Sequence, residues 1–363
     1  MIEEGELVFL HFFDIGGEVE FKGREATLEK YGKVRQEQLP GASWIEDSIR
    51  IKVNDLVEGL SERSCVEIKI FFIGGILVRV TVPISHMDFP EVLDLLLRSE
   101  EQFVIKEGVK TSMAQFAKEL AETIKKDIQP FITNQYTSMD YAENYRVIIV
   151  QEADGNLIEK SKEIVGLIRK EPFERLSREE VEEILDNRYA YRGNFAIADI
   201  RGALAFVKNM ESFPILRALQ LCLLQKLELR VYDSLLDEML EKSYDILAKA
   251  ESKANREVAE RINDIHLMRL ELLEIVSAMK GSRGSAKARI FSSLRESIEE
   301  KFELEDLADS VTRKLDRLGE IYKMVYDSLQ NTRFIRMDRT MLMLEGIIVI
   351  LIVIEIVLVL AGK

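Results

Sequence analysis

Val66-Glu-Ile68-Lys-Ile70-Phe-Phe72-Ile-Gly74-Gly75-Ile76-Leu-Val78-Arg-Val80-Thr-Val82 places an apolar residue at every second position on both sides of a glycine pair. This period is that of a β-strand, in which successive side chains point to opposite faces of the sheet. The glycine pair permits the positive φ angles of a tight turn. We therefore predict a β-hairpin over residues 66–82.

Around this hairpin, strand and helix patterns are mixed along the first 212 residues. We predict a strand over 7–13, a turn at Ile15-Gly16-Gly17 and a return strand over 18–21. Ser177 and Glu180 have the spacing of a capping box, which opens a helix that ends near Asp186. Further helices are predicted over 89–98, 111–126 and 158–169, and further strands over 145–151 and 194–200. Hairpins mixed with helices in this way favour an α+β domain over residues 1–212.

The pattern changes near Pro214, because neither proline nor glycine occurs from there to Met279. Apolar residues then recur every three or four positions, as a heptad seam requires. They are Leu224, Leu227, Val231 and Leu235 in the first arm and Leu304, Leu307, Val311, Leu315, Leu318, Tyr322, Val325 and Leu329 in the second. Residues 213–340 are therefore predicted to form a long antiparallel coiled-coil hairpin with its tip near 281–289. The arms could pair within one chain or between chains, since either choice buries the same seam.

The C-terminal stretch 341–361 reads MLMLEGIIVILIVIEIVLVLA. As a helix it would be about 31 Å long, against a hydrocarbon core of about 30 Å. Three arginines precede it, and basic residues favour the cytoplasmic side. We therefore predict a transmembrane helix in a tail-anchored protein of the cell membrane, single-pass, with the N-terminal bulk cytoplasmic. The alternative is a buried helix in a soluble oligomer.

Composition excludes several function classes. The chain has 363 residues and a formal net charge of −14, so we expect no general nucleic-acid binding. Two cysteines and three histidines leave little scope for a Cys/His metal site. Phosphate-loop, dinucleotide-binding, zinc-protease and serine-hydrolase motifs are all missing from the sequence. We predict a protein that is not an enzyme, with no catalytic, cofactor-binding or metal site.

Three groups of charged residues stand out as candidate sites. Glu345 and Glu355 would lie inside the membrane span, where ionisable groups are functional by default. A hydrogen bond from a protonated Glu355 to another protomer is the simpler reading. The juxtamembrane arginines Arg333, Arg336 and Arg339 would set topology and bind anionic lipid. The cations of the hairpin tip could contact RNA, an acidic protein or a lipid headgroup, or could simply solubilise a loop; they are Lys280, Arg283, Lys287 and Arg289.

The sequence Arg336 to Glu355 resembles the C-terminal pattern of the required-for-meiotic-nuclear-division, or Sad1-interacting-factor, family. The matching positions are Leu344, Glu345, Ile348 to Ile352, Ile354 and Glu355. Phe12 to Phe21, Ser85-His86 and Leu176 to Glu180 resemble upstream segments of that family. The resemblance implies an anchored scaffold. A mitochondrial member is held in the inner membrane, forms large homo-oligomers and supports translation by tethering ribosomes.

These observations lead to one expected function and one alternative. The expected function is a tail-anchored, homo-oligomeric membrane scaffold, whose partners are membrane lipid, further copies of itself and a ribosome or another cytoplasmic protein. Holding a partner in this way acts by raising its local concentration. The alternative is a membrane-bound sensor or regulatory domain that binds a small ligand through residues 1–212.

Overall fold

The computed structural model describes residues 1–20, 27–37, 48–53, 64–101, 103–104, 110–133, 140–155, 157–186, 188–191, 193–208, 214–248 and 286–361, with a few isolated positions between these ranges. The chain divides into two compact units. One comprises Met1–Tyr232 and Ile275–Asp309, and the other comprises Asp233–Glu274 and Ser310–Lys363.

Nine strands of the first unit form one mixed sheet in the order β11-β12-β13-β10-β1-β6-β5-β4-β3. Strands β10 and β13 run parallel, and the other neighbours are antiparallel. The short strands β2 and β9 form one separate pair, and β7 and β8 form another. The strands are β1 (Ile2–Asp14), β2 (Glu18–Val19), β3 (Gly32–Glu37), β4 (Ser48–Val53), β5 (Cys65–Phe71), β6 (Gly75–Met87), β7 (Phe103–Val104), β8 (Lys110–Thr111), β9 (Ile132–Thr133), β10 (Ala142–Ala153), β11 (Arg188–Tyr191), β12 (Asn194–Asp199) and β13 (Gly202–Phe206).

The hairpin predicted over residues 66–82 is confirmed as strands β5 and β6. Ile68 lies opposite Val78, and Ile70 lies opposite Ile76. Gly74 takes a φ of 124° in the turn between them, a value that side-chain-bearing residues rarely adopt.

The return strand predicted after Ile15-Gly16-Gly17 is wrong. Strand β1 is followed by β2, but β2 pairs with β9, which lies more than a hundred residues further along the chain. The backbone N–H of Val19 also donates to the carbonyl of Phe72, at 2.8 Å. A local turn therefore leads into a long-range pairing, which the strand pattern alone does not reveal.

Seven helices are described: α1 (Phe89–Glu101), α2 (Met113–Ile128), α3 (Ser161–Arg169), α4 (Arg178–Asp186), α5 (Ile215–Ala248), α6 (Ala286–Lys301) and α7 (Leu304–Ala361). The predicted capping box is confirmed at the start of α4. The Ser177 backbone N–H donates to Glu180 Oε2 at 2.9 Å, and the Glu180 N–H donates to Ser177 Oγ at 3.2 Å. The bonds that the Ser177 backbone N–H and hydroxyl donate to Glu180 Oε2 lower the pKa of the Glu180 carboxyl.

Helices α1 to α4 cover one face of the sheet, called here the first face. Their buried residues, such as Val92, Phe116 and Val181, share one core cluster with Ile68 and Val80 of the sheet. The opposite face, called here the second face, carries the side chains at the alternate positions of the same strands.

Helices α5 and α6 belong with the second face. A Cβ atom added to Gly75 of β6 would come within 2.6 Å of Leu224 Cδ1, so α5 lies directly on the strand. The ring of Tyr145 on β10 meets that of Phe302, just after α6, edge-on at 5.4 Å. The Arg217 guanidinium of α5 lies 4.9 Å from the ring centre of Phe291 in α6. The part of α5 up to Tyr232 and helix α6 therefore belong to the first unit with the sheet.

The predicted fold class, an α+β domain followed by a long coiled-coil hairpin and a transmembrane helix, is wrong. The described residues form a nine-stranded mixed sheet with helices on its faces and no long coiled-coil hairpin. The coiled coil fails because residues 218–224 of α5 are buried at every position, whereas a two-stranded seam buries one stripe of a helix. The second arm is also interrupted between α6 and α7, where Glu303 has a φ of 54°.

In the second unit, the early part of α7 buries Val311, Leu315, Leu318 and Tyr322. The Lys314 ammonium forms ion pairs with Asp233 at 2.8 Å and with Asp237 at 2.7 Å, both on α5. The apolar residues at three- and four-residue spacing therefore form the buried stripe of α7 in this part of the helix.

The prediction of a tail-anchored, single-pass protein of the cell membrane is also wrong. Within the residues that the structure describes, no helix combines the length and the apolar character needed to cross a membrane.

Candidate functional site

The register of strands β3 to β6 brings six cationic side chains together on the second face. Residues directly opposite each other in paired strands point to the same face. One row across the strands is Lys33, Lys52, Glu67 and Arg79. The adjacent row is Arg35, Arg50 and Lys69. We call these seven residues the basic half-face.

The same two rows become apolar where they continue onto β1. Arg79 lies opposite Leu10, and the row of Lys69 continues through Leu77 to Phe12. Leu10, Phe12 and Leu77 are fully buried, in the half of the face to which α5 and α6 belong. We call this half the covered half-face. One sheet face is thus divided across its strands into an apolar and a basic part.

Glu67 is the single carboxylate of the basic half-face, and its side chain is 4% exposed. It pairs closely with the guanidinium of Arg50 and lies 3.6 Å from that of Arg79. The described side chains of these two rows are thus six cations and one acid, and the acid holds two of the cations in place. Glu37 begins the next row of β3, and its side chain lies outside the described residues.

The outermost cations of this surface are open to solvent. Lys33, Arg35 and Lys52 are exposed, while Arg50, Lys69 and Arg79 are half-buried. Neighbouring strands lie about 4.8 Å apart, and alternate residues of one strand about 7 Å apart. The side chains form a flat grid of positive charge. Ammonium and guanidinium groups repel metal ions and bind carboxylates or phosphates, so this surface suits an anionic partner.

Helix α4 has the opposite charge. It exposes Glu179, Glu182, Glu183 and Asp186, while Val181 and Ile184 are buried in the core of the first face. The helix packs beside β12, near the end of the sheet furthest from β3. The sheet domain therefore carries a basic surface at one end and an acidic helix near the other.

None of the site residues predicted from the sequence belongs to the basic half-face. At the predicted hairpin tip, Lys280 and Arg283 lie outside the described residues. Lys287 and Arg289 belong to the backbone of α6, but their side chains lie outside the description.

The remaining predicted residues belong to α7. Arg339 and Glu345 are exposed on it. The side chains of Arg333, Arg336 and Glu355 lie outside the described residues, although the helix backbone includes all three.

The basic half-face was missed because its members are scattered along the sequence. The signal is present in short alternations such as Lys33-Val-Arg35 and Arg50-Ile-Lys52, in which an aliphatic residue of the first face separates two cations. Within a single strand, such an alternation indicates only which side of that strand faces solvent. Only the pairing register shows that these solvent sides form one surface.

Comparison with known proteins gives a family but no solved structure that matches. The model of the family "Uncharacterized protein MJ0711, N-terminal domain" matches residues 4–206. Uncharacterized protein MJ0711 of Methanocaldococcus jannaschii is 24% identical over 230 residues, which are 62% of this chain and 69% of that protein. No solved structure is similar enough to count as a match.

The resemblance to the required-for-meiotic-nuclear-division, or Sad1-interacting-factor, family is wrong, because the match that is found is to another family. That resemblance depended mainly on Leu344 to Glu355, a run of aliphatic residues with two glutamates. Such a run has few distinguishable positions, so unrelated apolar helices can share it. The matched region includes all the strands of the nine-stranded sheet, and the chain belongs to the family defined by the N-terminal domain of uncharacterized protein MJ0711.

Proposed function

We propose that this protein is a self-assembling scaffold, in which the basic half-face of one copy binds the acidic helix α4 of the next. The observation that carries the proposal is the density of charge. The described side chains of the two rows are six cations and one carboxylate, in a chain whose formal net charge is −14. A second copy of the chain offers the complementary charge at a defined place.

The two surfaces differ, so their contact would be head to tail. Heterologous contacts of this kind build rings when the rotation closes and open filaments when it does not. Arg35, Lys52 and Lys33 would meet Glu182 and Glu183 of the partner copy. Guanidinium groups bind carboxylates in a bidentate fork, which gives orientation as well as attraction.

A protein carboxylate fits this surface better than a nucleic acid does. Proteins that bind single strands combine positive charge with aromatic rings on which the bases stack. None of the seven residues of the basic half-face is aromatic.

The scaffold would act through local concentration. Each copy added to the assembly brings whatever it binds next to the same molecule bound to its neighbour, which raises the effective concentration of both. Binding of a ribosome or another cytoplasmic protein remains a prediction.

Sedimentation velocity of the full chain over a range of concentrations tests this proposal. We expect assembly that grows with concentration and weakens with added salt, because exposed charges are screened beyond about 10 Å at 0.1 M salt. The reversal R35E/K52E should leave a monomer at the same concentrations. Its matched control is K160E/K162E, which reverses two lysines near the start of α3 that belong to neither the basic half-face nor α4, and should assemble like the wild type.

A wild-type chain that stays monomeric at every concentration would contradict the proposal. Assembly that R35E/K52E leaves intact would contradict the proposed surface. If the monomer instead travels with ribosomes in a gradient, and R35E/K52E releases it, the basic half-face binds RNA or ribosomal protein and self-assembly is wrong.

A further inference from the structure

A cleft of about 130 Å³ opens on the first unit, lined by helix α2, the end of β1, Ser138, Asp140 and Tyr141. This volume is below the roughly 300–1,000 Å³ of sites for drug-sized molecules, so the cleft admits only a small ligand. The cleft is separate from the basic half-face, and what it binds does not depend on the self-assembly proposed above.

One wall of the cleft is a charged stripe of α2. Lys118, Glu122 and Lys125 follow one another at four and three residues, so they lie on one side of the helix. Along the helix, the charges of these three side chains are positive, negative and positive. A simple anion would meet the carboxylate in its middle, and a divalent cation would meet the ammonium groups on either side.

Lys125 is the more deeply placed cation. Burial lowers the pKa of its ammonium group, and the nearby carboxylates of Asp14 and Glu122 oppose that effect. Its ammonium group contacts the hydroxyl of Ser138. At the other end of the stripe, Lys118 Nζ lies 2.8 Å from Asp140 Oδ1. This exposed pair could open without loss of fold, because exposed ion pairs contribute only about 0–1 kcal/mol.

Behind the stripe, the carboxylate of Asp14 is held in place. It accepts hydrogen bonds from Tyr136 Oη at 2.7 Å and from the Gly16 N–H at 3.0 Å. Burial, with the nearby acids Glu228 and Asp14, raises the pKa of Tyr136, which therefore stays protonated as the donor. Phe13 and Ile76 supply an apolar part of the lining. The cleft thus offers both charges next to an apolar surface.

We infer that this cleft binds a small zwitterion of the α-amino-acid class. Such a molecule carries an ammonium and a carboxylate on one carbon, and the helical stripe places a carboxylate between two ammonium groups. The ligand's ammonium would face Glu122, its carboxylate would face Lys125, and an apolar side chain would lie on Phe13 and Ile76. No simple anion or cation matches both signs.

Isothermal titration calorimetry of the full chain with the common amino acids tests this inference. We expect saturable binding of at least one of them, favouring apolar side chains. The N-acetylated and the amidated forms of that amino acid should each bind roughly tenfold to a hundredfold more weakly, since each loses one charge-assisted interaction.

Two variants test which residue contacts each charged group of the ligand. Lys125→Gln should weaken binding and remove the difference between the free acid and its amide. Glu122→Gln should likewise remove the difference between the free amine and its N-acetyl form. The matched controls are Lys126→Gln and Glu119→Gln, exposed neighbours on α2 outside the cleft, which should bind like the wild type.

The inference fails if no amino acid binds, or if the blocked derivatives bind the wild type as well as the free amino acid does. It also fails if Lys126→Gln weakens binding as much as Lys125→Gln. The derivative comparison uses the unmodified protein, so it stays decisive even if a variant in the cleft does not fold.

Discussion

The covered and basic half-faces lie on the same side of one sheet, on strands that alternate in the same way. In the covered half-face, the residues that point to the second face include Leu10, Phe12 and Leu77, which α5 helps to bury. In the basic half-face, the residues that point to the second face are mainly lysine and arginine. The comparison shows that burial on this face depends on which side chains lie next to each other across neighbouring strands.

Buried Glu143 in the covered half-face and buried Glu67 in the basic half-face are paired differently. Glu143 in the covered half-face lies 3.1 Å from Lys226 and 2.5 Å from Arg230, both on α5. Glu67 pairs with Arg50 and Arg79, both on the sheet. One acid therefore helps to attach a helix, whereas the other keeps neighbouring cations together on a surface without a described cover.

The largest expected effect tests the covered half-face as a core. Leu224→Ala removes a fully buried side chain that lies against Gly75, so we expect the free energy of unfolding to fall by about 2–5 kcal/mol. Urea unfolding measures the change. Lys52→Ala, on the basic half-face, should alter that free energy by less than about 0.5 kcal/mol. Equal losses in the two variants would remove the distinction between the half-faces.

The next effect separates the roles of the two acids. Glu143→Gln and Glu67→Gln should each lower the free energy of unfolding by about 1–3 kcal/mol, because each removes a buried partner of charged groups. Their effects on assembly should differ. Glu67→Gln makes the basic half-face more positive and should tighten self-association, whereas Glu143→Gln should not change it.

Chemical denaturation of the two variants measures their stability, and sedimentation velocity of the same samples measures their self-association. If Glu67→Gln weakened association in step with stability, Glu67 would be part of a contact surface, and its proposed role of limiting the positive charge would be wrong.

The smallest effect compares the two faces of strand β1 at adjacent residues. Phe12 lies on the second face, while His11 lies on the first, 4% exposed, with Nδ1 2.7 Å from Asn144 Oδ1. Burial lowers the pKa of His11 in the folded state. The unfolded chain then binds more protons below about pH 6.5, so stability should fall as the pH falls, by at most about 1.4 kcal/mol per pH unit.

Denaturation curves between about pH 5 and 8, run for the wild type and for His11→Gln, measure this contribution. The wild type should lose stability more steeply than the variant below about pH 6.5, and the two should run parallel above it. Parallel curves over the whole range would mean that His11 protonates as easily in the folded protein as in the unfolded one.

Local pattern was sufficient where the structure depends on local contacts. The hairpin of Ile68 and Val78 and the capping box of Ser177 and Glu180 were predictable, because period and turn chemistry determine both. The return strand after Gly17 was not, because β2 pairs with a strand far along the chain.

The helical region shows the limit of periodicity. Leu224, Leu227 and Val231 have the spacing of a coiled coil, but that spacing also fits a helix buried in a core. What separates the two is the burial of intervening residues such as Cys222 and Gln225. Nothing in the sequence around Cys222 and Gln225 indicates that they are buried.

The candidate sites were hidden for a related reason. The basic half-face combines residues from four strands, and the cleft combines Asp14, a stripe of α2 and Ser138. Each contribution is an ordinary polar residue in its own segment. Only the sheet register and the packing of α2 bring them together.

The most direct measurement of the proposed assembly is sedimentation velocity of two charge-reversed chains, alone and mixed. R35E/K52E places two carboxylates where exposed cations of the basic half-face lie, and E182K/E183K places two ammonium groups where exposed carboxylates of α4 lie. In either variant alone the changed positions meet groups of like charge on the next copy, whereas in the mixture contacts between unlike chains restore opposite charges at these positions. We expect each variant to sediment as a monomer and the equimolar mixture to assemble like the wild type. A mixture that stays monomeric, beside a wild-type chain that assembles, would contradict the pairing of the basic half-face with α4.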